Sequence, residues 1–109
     1  MTSRTWTNIT PAQAAEFYKD AVEQEGFTAS KTLTTQDFFA PGVLEFNASG
    51  HGVEVAISYQ SVMQSVTVTL LSENVFEKLI LSEDQILDLV DGYIQKSLGR
   101  KPINQNVSI

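Results

Sequence analysis

The sequence predicts an α+β domain, a two-layer sandwich in which an antiparallel sheet of three to four strands carries the N- and C-terminal helices on one face (α-β-β-β(-β)-α). Three observations lead there. An amphipathic segment with a helix-start signal lies near each end, residues 43–70 between them alternate apolar and polar side chains, and 42% of the 109 residues are hydrophobic. A chain of this length buries roughly two-thirds of its unfolded surface, enough for one core. We therefore read residues 1–99 as a single domain and residues 100–109 as a loose C-terminal tail.

Residues 1–9 read as an irregular lead-in. Thr10-Pro11-Ala12-Gln13 then opens a helix. Thr10 is placed to cap, Pro11 sits at the first helical position where its missing N–H costs nothing, and Gln13 completes a capping box. The helix is expected to run to about Glu25 and stop at Gly26, with Ala14, Phe17, Tyr18, Ala21 and Val22 facing inward. Residues 27–42 lack a clean period, and Lys31 to Thr35 fits a short edge strand before the Pro41-Gly42 turn.

The centre is sheet. Val43 to Ala48 forms a first strand, followed by a turn region over Asn47 to Gly52. Val53, Val55, Ile57 and Tyr59 alternate with Glu54, Ala56, Ser58 and Gln60, and Val66, Val68 and Leu70 alternate with Ser65, Thr67 and Thr69. A period of two gives each strand a dry face and a polar face. The stretch from Asn74 to Leu81 fits a fourth strand, with a short helix as the alternative. Ser82 with Gln85 three residues on caps the last helix, whose apolar stripe runs through Ile86, Leu87, Leu89, Val90, Tyr93, Ile94 and Leu98 to Gly99. Glu83 and Asp84 stand at its positive end and Lys96 near its negative end, as the helix dipole favours.

Thirteen carboxylates against seven Lys and Arg give a net charge of −6, and all thirteen precede Lys96. Such a body repels nucleic-acid phosphates and anionic membranes and attracts basic surfaces. The order of elements is shared with double-stranded RNA-binding domains. Here, however, the second helix opens Ser82-Glu83-Asp84-Gln85, negative where phosphate contact needs lysines, so direct nucleic-acid binding is not expected. The absence of cysteine removes disulfides and thiol chemistry. No apolar run approaches membrane-spanning length and no leader follows Met1, so a cytoplasmic location without membrane contact is expected.

Catalytic signatures are sparse. His51 is the sole histidine and sits in Ser49-Gly50-His51-Gly52, a surface turn where Glu45 or Glu54 is the candidate orienting partner. There is no phosphate-binding glycine loop, no nucleophile elbow and no metal-ligand spacing, so no catalytic residue, cofactor or metal is expected and the chain is not read as an enzyme.

What recurs is an acidic stripe. Glu16, Asp20 and Glu23 stand at i, i+4, i+7, and so do Asp84, Asp88 and Asp91. At about 3.6 residues per turn each set shares one side of its helix and is expected to show a ridge to solvent. Carboxylates at i and i+4 lie about 6 Å apart, on the scale of successive phosphates, so a DNA mimic seated in the basic groove of a nucleic-acid-processing enzyme is one form the reading takes. The expected function is thus a small acidic protein-binding module, acting as inhibitor, immunity factor or accessory subunit on a basic partner by steric and electrostatic occlusion. The six carboxylates are its candidate interaction residues. Two alternatives stay open: a structural, self-associating component, and a small-ligand-binding protein or enzyme with a helix–sheet pocket lined by Tyr18, Tyr59 or Tyr93.

Overall fold

The computed structural model describes residues 2–71 and 82–97. Its elements are β1 (Ser3–Trp6), α1 (Pro11–Glu23), β2 (Thr28–Ala29), α2 (Thr35–Phe39), β3 (Val43–Gly50), β4 (Val53–Gln60), β5 (Ser65–Leu70) and α3 (Glu83–Ser97). The strands form one antiparallel sheet in the order β1-β5-β4-β3-β2, flanked by the N- and C-terminal helices. This is the α+β sandwich that the sequence predicts, with five strands. The readings of residues 74–81 and of the tail at 100–109 lie outside the described residues.

Both long helices start where their caps place them. Thr10 Oγ1 accepts from the Gln13 amide while the Gln13 side chain accepts from the Thr10 amide. Ser82 and Gln85 make the same reciprocal pair ahead of α3. Each box satisfies two amides that helix geometry leaves without a partner. Gly26, at φ 78°, follows α1 in the left-handed conformation, and the Phe27 amide donates back to the Ala21 carbonyl, closing the helix end.

Two segments depart from the sequence reading. The lead-in is β1: Ser3 to Trp6 pairs with Thr69 to Val66, so the chain's first residues form an edge of the sheet. Its burial alternates only as far as Trp6, too short a run for periodicity to register. In the second segment, the strand expected at Lys31–Thr35 is replaced by β2 at Thr28–Ala29 and the one-turn helix α2, because Asp37 accepts from the Thr34 amide and turns the chain into a helix.

The hairpin between β3 and β4 is tighter than expected. Its loop is the two residues His51 and Gly52, both at positive φ (53° and 79°), between the paired Gly50 and Val53. Positive φ at both central positions marks the type I′ turn whose twist matches antiparallel strands.

The core lies between the sheet's dry face and the helices. At one end it is aromatic: Tyr18, Phe38 and Phe46 pack with centroids 5.4–6.5 Å apart, and Tyr59 lies 6.0 Å from Phe38. Their hydroxyls are tied down, Tyr59 donating to the Ile9 carbonyl at 2.7 Å and Tyr18 to the Lys31 carbonyl at 2.7 Å. No buried side-chain nitrogen or oxygen among the described residues lacks a hydrogen-bond partner. No helix among them is long and apolar enough to cross a membrane.

Candidate functional site

The two acidic stripes meet different fates. On α1, Glu16 and Glu23 are exposed, while Asp20 is half-buried and accepts a hydrogen bond from the Tyr93 hydroxyl at 3.0 Å. On α3 the expectation of a solvent-facing ridge is corrected. Asp84 is exposed, but Asp88 receives Arg4 Nη1 at 2.8 Å, and Asp91 is only 2% exposed. Trp6 Nε1 donates to Asp91 Oδ1 at 2.7 Å, and Gln95 Nε2 donates to the same oxygen at 3.2 Å. The stripe is therefore in large part the docking face of α3 on β1. Its spacing says correctly that the three carboxylates share a side. What spacing cannot say is that Arg4 and Trp6, on a strand hidden in the lead-in, engage Asp88 and Asp91 and bury the latter.

The same rotation of α3 brings Leu89 out of the expected inward stripe to 65% exposure. Beneath it lies a cavity of about 380 Å³ between the sheet and the two long helices. Its floor is made by Ala48, Val53, Val55, Ile57 and Val68. Phe17 and Ala21 of α1 and Ile86, Leu89 and Val90 of α3 make its roof. Leu89 and His51 both line it and are exposed, so it reaches the surface on those sides.

Side-chain size accounts for the cavity. Along the dry face toward the hairpin tip, β3 presents Phe46, Ala48 and Gly50, and β4 presents Tyr59, Ile57, Val55 and Val53. Register pairs Phe46 with Ile57, Ala48 with Val55, and Gly50 with Val53, so both strands shrink together. The aromatic end fills the space under the helices, whereas the small end leaves it open. Gly50 is small for a second reason: a Cβ there would stand 2.8 Å from the Phe27 ring. This taper is the signal in the sequence that locates the site, and it lies in side-chain volume, which alternation of polarity does not report.

Four rings border the cavity in a chain. Phe17 meets Tyr93 edge-on at 5.7 Å, Tyr93 meets Phe27 at 6.5 Å, and Phe27 meets His51 at 5.2 Å. His51 Nε2 lies 2.6 Å from the Glu25 carbonyl oxygen, so the hairpin tip is pinned to the end of α1 and not to Glu45 or Glu54. Of the three tyrosines weighed for a pocket lining, Tyr93 takes part and Tyr18 and Tyr59 are core residues. Burial, then the hydrogen bond and charge of Asp20, then the charge of Glu25, hold the Tyr93 phenol well above the ordinary tyrosine range. No lysine or arginine is among the described residues lining the cavity.

No protein-family model, curated protein or solved structure matches this chain.

Proposed function

We infer that the protein binds a small apolar molecule in the cavity between its sheet and its long helices. The observation that carries this reading is the cavity itself, about 380 Å³ with apolar walls and access to the surface beside Leu89. Ligand sites are typically concave, apolar and of roughly 300–1,000 Å³, with a few polar groups at fixed positions. Glu25, His51 and Tyr93 are the residues in the cavity's lining that carry such groups.

The test is a titration with a neutral naphthylamine fluorophore, which brightens on entering an apolar site. Saturable binding by the wild-type protein, abolished in Ala48→Leu while the fold is retained, is the expected result. Equal brightening by both proteins would place the dye elsewhere and remove the cavity as the site.

A second reading, the acidic module that contacts another protein, is favoured by a separate feature. Phe39, Val43, Val62 and Met63 are all exposed at the end of the sheet opposite the His51 turn. Pairing of Val43 with Gln60, and the bond from Ser61 Oγ to the Ala40 carbonyl at 2.9 Å, hold these segments together. Exposed apolar patches mark contact surfaces. In this reading the patch supplies the contact, and Glu16, Glu23 and Asp84 steer a basic partner. An inhibitor, immunity factor or accessory subunit would lose its partner on Met63→Asp.

A further inference from the structure

Among the described residues lining the cavity, Glu25 is acidic and none is a lysine or arginine. Glu25 lines the cavity, Asp20 accepts from the hydroxyl of the lining residue Tyr93, and neither carboxylate forms an ion pair among the described residues. The ring chain Phe17, Tyr93 and Phe27 borders the cavity as well, with successive centroids 5.7 and 6.5 Å apart. The Tyr93 hydroxyl is already committed, donating to Asp20 at 3.0 Å, so it does not neutralise the second carboxylate.

Resting on the cavity reading above, we propose that the ligand is a cationic amphiphile: an alkyl or aryl ammonium whose apolar body fills the cavity and whose charged head sits at the rim, against the rings of Phe17, Phe27 and Tyr93 and the carboxylates of Asp20 and Glu25. The physical grounds are independent of each other. Ring faces attract an ammonium through their quadrupole, more strongly when the site is partly desolvated. Two carboxylates with no ion pair among the described residues favour the same charge and disfavour a fatty acid, whose own carboxylate would be held near like charges. A neutral alcohol gains only the apolar term. The side chain of Glu25 is available for this role, because the contact of Glu25 with His51 uses the backbone carbonyl.

The experiment compares octylamine, octanol and octanoate against the full chain at neutral pH by calorimetry. These share one tail and differ in the charge of the head. The expected order is amine, then alcohol, then carboxylate, with the amine favoured over the alcohol by about tenfold and the preference weakening as salt is raised. Glu25→Gln is expected to bring the amine-to-alcohol ratio down toward one. Asp20→Asn serves as a second variant, with the melting temperature of each variant recorded. Equal binding of all three probes, or a preference for octanoate, would overturn the cation assignment and leave the cavity reading standing. Binding of none would overturn both.

Discussion

Ala48→Leu puts a number on the space between sheet and helices. Ala48 is buried on β3, pairs with Val55, and lines the cavity. The substitution adds three carbons directed into an apolar void. At about 0.8 kcal/mol per buried methylene the gross gain is about 2.4 kcal/mol. Fixing the leucine rotamer returns about 0.5–1 kcal/mol, leaving a net stabilisation of about 1.5 kcal/mol. For a domain of this size each kcal/mol moves the melting temperature by about 4 °C or more, so a rise of about 6–10 °C is expected. Thermal and urea denaturation read it, with Ala48→Val as a graded intermediate. A packed interior answers in the opposite direction, losing about 1–3 kcal/mol to overpacking. Destabilisation of that size in Ala48→Leu, with Ala48→Val also below wild type, would refute the cavity.

Three further outcomes follow from the same geometry. Removing the Trp6–Asp91 contact by Trp6→Phe and Asp91→Leu, singly and together, is expected to give a coupling of about 1.5–3 kcal/mol in urea melts, the range for a hydrogen bond to a charged group; a coupling under about 0.5 kcal/mol would mean the bond does not hold α3 to β1. Tyr59, through burial, and Tyr93, through burial and then Asp20 and Glu25, have phenol pKa values raised in the fold. The folded state therefore keeps protons that the unfolded chain releases near pH 10.0, so stability is full below that pH and falls as pH rises above it, and Tyr93→Phe should flatten the fall. Absorbance titration checks this independently, since these two phenols should ionise above pH 10.0. Thr10→Ala and Ser82→Ala should each cost about 1 kcal/mol through loss of the helix cap, measured by thermal denaturation.

The fold was legible where local chemistry repeats. Capping boxes at Thr10 and Ser82 and the alternation of Val53 to Tyr59 are rules of short range, and tertiary packing reinforced each of them. The strand β1 was not legible, since four residues cannot display a period and its identity comes from pairing with β5, about sixty positions away. That miss propagated. Without β1, sequence offers the stripe of Asp84, Asp88 and Asp91 no partner but solvent, although Asp88 and Asp91 grip Arg4 and Trp6 of that strand. Periodicity fixes which residues share a helix face; the neighbour that claims the face is a long-range matter. The site was legible only as an open alternative naming Tyr18, Tyr59 or Tyr93, of which Tyr93 lines the cavity. The descending volumes on β3 and β4 were present in the sequence, but only register aligns them into one tapering floor.

Methyl NMR of the labelled protein during titration with the neutral naphthylamine tests the central claim most directly. The account predicts saturable shifts, and contacts from the dye's ring protons, at the methyls of Val53, Val55, Ile57, Leu89 and Val90. Contacts at Val43, Val62 and Met63 instead, or no contact at the cavity methyls under saturating dye, would contradict it.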